Sequence, residues 1–268
     1  MVTFVATPIG NLGDITLRAL ETLRSADIIY CEDTRHSLKL LNYYDIKKPL
    51  ASCHKFNERS AAEKIAEESL TGKSIAVITD AGMPVISDPG NILAQVLREK
   101  NVEFTVAPGA CAFVSALVLS AFRADTFAFI GFIRGRDSEK RENIGRYVDF
   151  TGTLIFYSAP QDVDDDIRLL YGVLGDRKAC AVREITKIHE ETLYFSLASG
   201  LDGEKRGEYV LLVEGAGKKE NPLNSLGERE HIDYYIRQGM TEKEALKAAA
   251  KDRGVSKSEL YKYTMKDR

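Results

Sequence analysis

The side chains best suited to chemistry follow short apolar segments in the first half of the chain. Cys31-Glu-Asp-Thr-Arg35 carries adjacent carboxylates and an arginine, and His54-Lys-Phe-Asn-Glu58 adds an imidazole and an amide in the same position after another apolar segment. Carboxylates can accept a proton and arginine binds phosphate, so both segments are candidates for a polar substrate site. Helix capping by Asp33 or Thr34 with a local ion pair explains the first segment equally well, and a solvated cap explains the second.

The segment from Asp80 to Gly90 is the richest in residues with special backbone conformations. It contains two glycines and two prolines, and it lies directly after an apolar strand and before a helix. Ligands bind at the carboxyl ends of strands in open parallel sheets, and glycine lets the backbone approach them closely. We therefore predict a ligand-binding loop in preference to a plain structural turn. Pro8 to Asp14 follows the first apolar segment, but its GxxG pattern is shorter than the full dinucleotide fingerprint.

The elements that position these segments are predicted from the hydrophobic pattern. In the first half, β-rich runs alternate with helical patterns, which indicates parallel βαβ units. The second half predicts a mixed or antiparallel sheet, with a charged segment from Arg134 to Arg146. Between the halves, the apolar stretch Ala110 to Phe122 has the length of a buried helix. The predicted strands are Val2 to Thr7, Asp27 to Glu32, Pro49 to Cys53, Ile75 to Asp80, Val102 to Ala107, Thr126 to Ile133, Thr153 to Tyr157, Ala179 to Ile185, Thr192 to Leu197 and Tyr209 to Glu214.

These patterns predict an α/β protein with an N-terminal α/β domain over residues 1–123 and a C-terminal α/β domain over residues 124–218. Residues 219–268 are predicted to form a linker and a helix-turn-helix-like tail. The tail prediction depends on capping boxes that start at Thr241 and Ser256, with two short helices joined at Gly254.

Charge and composition limit what the chain can bind and where it is found. The formal net charge is −3, so any nucleic-acid binding must come from local patches. The cysteines and histidines are scattered without metal-ligand spacing, so we predict free thiols and no metal site. Because no long apolar segment and no basic leader are found, we expect a cytoplasmic protein that does not enter a membrane.

Several motifs together carry a family resemblance that extends in order over nearly the whole chain. They are Thr7-Pro-Ile-Gly-Asn-Leu-Gly-Asp-Ile-Thr16, Glu32-Asp-Thr-Arg35, His54 with Asn57-Glu58, Asp80 to Gly90, Pro108-Gly109, Gly131-Phe132, Ile155-Phe-Tyr157, Arg183-Glu184 with Thr186-Lys187, and Gly207-Glu208 with Val213-Glu-Gly215. In these segments the chain resembles the ribosomal RNA small-subunit methyltransferase I family of the tetrapyrrole-methylase superfamily.

The resemblance implies a two-domain tetrapyrrole-methylase-like fold, with a parallel-rich N-terminal sheet, a mixed C-terminal sheet and a small helical appendage. It also implies a homodimer that binds S-adenosyl-L-methionine between its domains and methylates the 2′-hydroxyl of a cytidine in the decoding region of 16S ribosomal RNA, within the small ribosomal subunit. The implied cofactor contacts are Asp80, Ala81, Gly82, Met83, Pro84, Ile86, Ala112, Phe156 and Tyr157. The implied substrate contacts are Pro8, Gly10, Asn11, His54, Asn57, Arg183 and Glu184.

A ribose hydroxyl is a weak nucleophile, so transfer requires alignment and a proton acceptor. We expect Asp33 or Glu32 to accept the proton and Arg35 to contact phosphate; if alignment dominates, no single base is essential. RNA contact is expected in Arg134 to Arg146 and in the tail from Thr241, where a solvated surface is the alternative.

Two rival functions stay open. One is carbon methylation of a tetrapyrrole by the same fold, and the other is a non-catalytic nucleotide-binding or regulatory module. The chain departs from the family pattern where Ala110 and Cys111 replace Pro and Ser, where Met83 replaces Thr, and in the segment from Ser158 to Asp162.

Overall fold

The first half of the chain forms a five-stranded parallel sheet in the computed structural model, which describes residues 1–217, 221–261 and 263. The strand order is β3-β2-β4-β1-β5, and every adjacent pair is parallel, as predicted. The strands are β1 (Val2–Val5), β2 (Ile28–Cys31), β3 (Leu50–Ser52), β4 (Ile75–Val77) and β5 (Phe104–Ala107), and the helices are α1 (Leu17–Ser25), α2 (Thr34–Tyr43), α3 (Glu58–Leu70) and α4 (Asn91–Glu99).

Helices cover both faces of this sheet, which explains why its strands are continuous apolar runs. Phe4 and Val77 lie in one core with α3 and α4, whereas Val5 and Ala76 lie in another with α1 and α2. The alternation follows from the two-residue period of a strand. Because all five strands are parallel, their carboxyl ends lie at one edge of the sheet, and the loops after them meet there.

The second half forms a five-stranded mixed sheet in the order β6-β7-β10-β8-β9. Only β6 and β7 pair in parallel, which confirms the predicted mixed sheet. The strands are β6 (Phe127–Phe132), β7 (Thr153–Ser158), β8 (Lys178–Arg183), β9 (Glu191–Ser196) and β10 (Tyr209–Val213), and the helices are α5 (Ala112–Ser120), α6 (Asp137–Gly145) and α7 (Val163–Leu174).

The apolar stretch before this sheet forms the predicted helix, α5, but only part of this helix is buried. Ala116 and Leu117 pack on the second sheet with Ile155 and Val210. The opposite face is open, and 74% of the surface of Val118 is exposed. Uniform hydrophobicity hides which face of a helix is covered, since it leaves no polar stripe to mark the solvent side.

Residues 1–215 form one compact unit, and the chain from Ala216 forms a second. The predicted division at residue 123 falls within the first unit, and it stays a prediction. The predicted boundary at residues 218 and 219 and the basic residues Lys262, Lys266 and Arg268 lie outside the described residues.

The described part of the second unit contains a short 3₁₀ helix at Pro222–Ser225 and three α-helices: α8 (Glu228–Arg237), α9 (Glu242–Arg253) and α10 (Lys257–Tyr261). Both predicted capping boxes are present, since Thr241 N donates to Glu244 Oε2 at 3.0 Å and Ser256 N donates to Glu259 Oε2 at 3.1 Å. Gly254 ends α9 with φ of 65°. None of the helices described in either unit is long and apolar enough to cross a membrane.

Candidate active site

A cavity of about 390 Å³ lies at the carboxyl edge of the first sheet, with its other wall formed by residues of the second sheet. This is the edge at which open α/β sheets bind ligands. The lining residues come from the loops after β1, β2, β4 and β8, from the start of α5, and from β6, β7 and β10 with their flanking residues. They are Ile9, Glu32, Asp80, Ala81, Gly82, Met83, Ile86, Ser87, Asp88, Cys111, Ala112, Phe132, Tyr157, Ser158, Ala159, Glu184, Ile185, Lys187, Glu208, Tyr209 and Val210.

The loop from Asp80 to Gly90 forms much of the first-sheet wall in a strained conformation. Its φ angles are positive at Gly82 (82°), Val85 (79°), Ser87 (65°) and Gly90 (130°). A β-branched residue such as Val85 adopts positive φ only where the surrounding structure enforces it, and such residues cluster at functional sites.

Backbone pairing fixes the start of this loop. Thr7 N donates to Gly82 O at 2.9 Å, and Gly82 N donates to Thr7 O at 3.1 Å. The loop is therefore attached to the segment that follows β1, and Gly82 presents bare backbone to the cavity.

The buried carboxylate of Glu58 fixes the end of the loop. Glu58 is 7% exposed and lies at the start of α3. Its Oε1 accepts from Gly90 N and Ile92 N, each at 2.8 Å, and from Leu93 N at 3.4 Å. These are N–H groups at the start of α4 that lack helical partners, and a negative charge there is also favoured by the helix dipole.

Most of the predicted cofactor residues line the cavity. Asp80, Ala81, Gly82, Met83 and Ile86 do so from the loop, and Ala112 and Tyr157 do so from the other wall.

Two of the predicted cofactor residues do not line it. Pro84 is a buried residue of the loop and is not among the residues that line the cavity. The side chain of Phe156 does not reach the cavity, because it is 0% exposed in the core with α7. Successive residues of a strand face opposite sides, so Tyr157 faces the cavity and Phe156 faces away from it.

Three of the five carboxylates that line the cavity lie on the first-sheet wall: Glu32 after β2, and Asp80 and Asp88 in the loop after β4. Burial, with the charges of Glu32 and Asp80, raises the pKa of Asp88 to about 7, although Arg134 opposes this. Burial and Asp80 also raise the pKa of Glu32, and His54 opposes it. Asp80 Oδ1 is buried and has no hydrogen-bond partner among the described residues.

Asp33 and Arg35 do not line the cavity, and their contacts fit the capping alternative. Asp33 caps α2 by accepting from Arg35 N at 2.8 Å, and its carboxylate pairs with the Arg35 guanidinium at 2.9 Å. The hydrogen bonds from Arg35 lower the pKa of Asp33 to about 2. The Arg35 side chain is 88% exposed. Of the predicted catalytic residues, only Glu32 reaches the cavity.

On the second-sheet wall, Glu184 is held in place by its neighbours. Its Oε1 accepts from Lys187 Nζ at 2.9 Å and from Glu208 N at 3.1 Å. The pKa of Glu184 is lowered, because the effect of burial, which raises it, is outweighed by these two hydrogen bonds, which lower it. Arg183, the adjacent prediction, does not line the cavity and forms an ion pair with Glu191 at 2.7 Å.

The predicted substrate residues after β1 lie beside the cavity, and of this loop only Ile9 lines it. Asn11 N donates to Thr186 Oγ1 at 3.1 Å, which links this loop to the loop after β8. At Gly10 a Cβ atom would lie 2.6 Å from Cγ of Lys187, so glycine permits this close approach. Pro8 does not line the cavity either.

His54 and Asn57 hold their own loop together and do not line the cavity. Asn57 Oδ1 accepts from His54 N at 2.7 Å, and Asn57 Nδ2 donates to Ser52 O at 3.1 Å. Asn57 is the residue before the first turn of α3, but its side chain bonds backward and does not cap the helix.

No individual role in the site was predicted for Asp88, Lys187 or Glu208, although each lies in a motif quoted for the family resemblance. Polar residues in a loop after a strand were the available signal for all three. The β10 residues Tyr209 and Val210 carried none, because an apolar run does not reveal which of its residues border a cavity.

Known proteins are similar in sequence to this chain over most of its length. Residues 1–200 match the family model of tetrapyrrole (corrin/porphyrin) methylases. The chain is 39% identical over 265 residues to ribosomal RNA small subunit methyltransferase I of Halalkalibacterium halodurans, covering 96% of this chain and 92% of that protein. It is 38% identical over 266 residues to the protein of the same name from Bacillus subtilis, covering 96% and 91%.

Solved structures agree in fold alone. Diphthine synthase has a TM-score of 0.65 at 16% identity and covers 80% of this chain and 89% of its own. Uroporphyrin-III-C-methyltransferase from Thermus thermophilus has a TM-score of 0.58 at 17% identity, with coverage of 80% and 93%.

Proposed function

This chain belongs to the tetrapyrrole methylase family, and we propose that it methylates ribosomal RNA with S-adenosylmethionine. The support for this proposal is that the relatives at 38–39% identity are named ribosomal RNA small subunit methyltransferase I. We further propose that the acceptor is the 2′-hydroxyl of a cytidine in 16S ribosomal RNA, on the small subunit in the cytoplasm. The observation that carries the proposal is the cavity at the carboxyl edge of the first sheet, formed by a strained, doubly held loop.

The cavity fits S-adenosylmethionine in size and chemistry. About 390 Å³ lies within the range of roughly 300–1,000 Å³ found for small-molecule sites. Asp80 Oδ1, buried and without a partner among the described residues, is available to a donor on the cofactor. Gly82 and its neighbours offer backbone groups, while Ile86 and Tyr157 offer apolar surface. When bound, this cofactor supplies an electrophilic methyl group.

The protein's own groups then have separate tasks. Ala81, Gly82 and Met83 bind the cofactor through the backbone, and Ala112 and Tyr157 close the opposite wall. The ion-paired Glu184 and Lys187 keep the two walls in register beside Gly10. One of the carboxylates on the first-sheet wall receives the proton that the ribose hydroxyl loses.

RNA binding is proposed for a smaller set of basic residues than the sequence indicated. Arg136, Arg141 and Arg146 form ion pairs with Glu139, Asp137 and Glu142 at 2.7, 2.8 and 3.1 Å, which favours the solvated alternative for this part of the segment. Arg134 differs, since its guanidinium lies 4.9 Å from the ring centroid of Phe132, a cavity residue. We assign RNA contact to Arg134 and to the helical tail.

A homodimer is also proposed, and an exposed apolar surface supports it. Val114, Val118 and Leu119 on α5 are exposed, as are Phe104 and Val106 on β5, an edge strand of the first sheet. Exposed apolar surface on an edge strand and on the helix that follows it in the chain is typical of an interface between copies. Light scattering at micromolar concentration should give twice the chain mass, and a monomeric mass contradicts the proposal.

The function is tested by tritiated-methyl transfer onto small ribosomal subunits from a strain lacking this protein. If 16S ribosomal RNA becomes labelled and the labelled RNA resists alkaline cleavage at one nucleotide, the result supports 2′-O-methylation. Label on a tetrapyrrole and not on RNA supports the first rival. Cofactor binding without transfer to either acceptor supports a regulatory module.

A further inference from the structure

Asp88 lines the cavity from a part of the loop that is held by backbone contacts on both sides. It follows Ser87, whose φ is 65°, and precedes Pro89, whose carbonyl accepts from Val85 N at 3.2 Å. Two residues later, Gly90 N is bound by the buried Glu58 carboxylate at 2.8 Å. The carboxylate of Asp88 is therefore carried by a backbone that has little freedom to move.

The second sheet restricts the same part of the loop from the opposite side. Gly131 in β6, with φ of 76°, lies beside Ser87, and a Cβ atom there would stand 3.1 Å from Ser87 Oγ. The register of β6 against β7 shifts between Phe129 and Gly131, which marks a bulge at this contact. Bulges of this kind often re-aim residues beside active sites.

The charged groups that act on Asp88 come from several elements. Glu32 follows β2, Asp80 follows β4, and Arg134 follows β6, while Tyr157 in β7 lies on the facing wall. Glu184, Lys187 and Glu208 line the same cavity from the second sheet. Two nearby carboxylates and partial burial both disfavour a charge on Asp88, and one arginine favours it.

We propose that Asp88 is the catalytic proton acceptor of the methyl transfer, an assignment that rests on the proposed function. The ribose 2′-oxygen forms a bond to the methyl carbon, and the carbon–sulfur bond breaks with its electron pair left on sulfur. The hydroxyl proton passes to a carboxylate oxygen of Asp88, so charge and atoms balance without a further reactant. Glu32 and Asp80 act on Asp88 through their charges and make it more basic.

The basicity of Asp88 suits this task. Its pKa, raised to about 7 by burial and by Glu32 and Asp80, is close to physiological pH, where a general base is most effective. Asp33, with its pKa lowered to about 2 by Arg35, is a much weaker base and is already hydrogen-bonded.

The test is the pH dependence of single-turnover methyl transfer to small subunits from a strain lacking this protein. For the wild-type chain, the rate should rise about tenfold per pH unit and level off above an apparent pKa near 7. Asp88→Asn should slow transfer by about 10²–10⁴-fold and remove this inflection, while calorimetric affinity for S-adenosylmethionine stays within about twofold. Glu99→Gln, at an exposed carboxylate on α4, is the matched control and should keep the wild-type profile.

Glu32→Gln separates the two cavity carboxylates. If Asp88 is the acceptor, this variant keeps substantial activity and its inflection moves to lower pH, because one neighbouring negative charge is gone. Loss of the inflection in Glu32→Gln, with its retention in Asp88→Asn, assigns the proton to Glu32 and overturns the proposal. An Asp88→Asn variant that binds cofactor and transfers methyl at the wild-type rate also overturns it. If the wild-type chain itself transfers no methyl to RNA, the proposed function fails, which is a distinct outcome.

Discussion

The contact between Glu58 and the start of α4 makes a quantitative prediction about stability. Glu58→Ala removes an acceptor of three backbone N–H groups, two of them at 2.8 Å, and Gly90 and Leu93 stay buried without it. A hydrogen bond to a charged group contributes about 1.5–3 kcal/mol, and the freed donors recover part of that from water. We expect the free energy of unfolding to fall by about 3 kcal/mol, and by about 1 kcal/mol for Glu58→Gln, which keeps an acceptor oxygen but loses the charge.

Urea denaturation followed by circular dichroism measures this change, since the chain has no tryptophan. With an m value of about 2–3 kcal/mol per molar urea, the midpoint of Glu58→Ala should drop by about 1 M. Glu67→Ala, an exposed carboxylate on the same helix, should keep the wild-type midpoint. Cofactor affinity should weaken in Glu58→Ala and not in Glu67→Ala, because of these two glutamates only Glu58 is hydrogen-bonded to the end of the loop. A Glu58→Ala midpoint within about 0.3 M of wild type refutes the reasoning.

Three further predictions concern the loop and the tail. Gly82→Val should abolish binding of S-adenosylmethionine, because a β-branched residue is forced to φ of 82° with its Cβ 3.3 Å from Ile9; unchanged calorimetric affinity in the folded variant contradicts this. Removing the chain after Gly215 should weaken binding to small subunits and flatten its salt dependence with cofactor affinity unchanged; the same salt slope excludes the tail from RNA binding. Burial lowers the pKa of His231, so as pH falls the unfolded tail binds a proton before the folded tail does. The stability of the folded tail should therefore fall as pH drops below about 6.5. A Tm of the tail unit that is constant from pH 7.5 to 5.5 argues against this.

The geometry around His231 explains the sign of the last prediction. Its Nδ1 accepts from Arg253 Nε at 3.1 Å, which requires an unprotonated nitrogen. Protonation would set a positive imidazolium against the arginine, although Asp252 at 3.3 Å from Nε2 offsets part of that cost.

The fold was largely predictable because its local signals agree with one another. The apolar runs of β1 to β10 and the capping boxes at Thr241 and Ser256 each identify an element without knowledge of the rest of the chain. Helix α8 was not predicted, since it follows Gly227 and lacks the Ser, Thr, Asp or Asn that marks most helix starts.

The site was predictable only as far as the loops that form it. The residues that reach the cavity depend on strand phase and on competing local hydrogen bonds. Phe156 and Tyr157 are adjacent in one strand and therefore face opposite sides of the sheet. The side chains of Asn57 and Asp33 accept hydrogen bonds from nearby backbone N–H groups, so they are already occupied within their own loops. Polar side chains that hydrogen-bond to the backbone of their own loop are the ones most easily mistaken for ligand contacts in a sequence.

The cavity carboxylates also imply a conflict between stability and function. A raised pKa means that the folded state holds a proton on Asp88 that the unfolded chain releases near pH 4. The resulting stabilisation is complete below that pH and is lost as pH rises through about 7, so above neutral pH the charged Asp88 destabilises the fold. Asp88→Asn should therefore be more stable than wild type at pH 8, by about 2 kcal/mol after allowance for partial solvent screening, and not at pH 4. Equal urea midpoints for the two proteins at pH 8 would show that the carboxylate is not strained by its surroundings. On this reasoning, the contacts of Glu58 and Thr7 with the loop offset a cost that the chemistry of the site imposes.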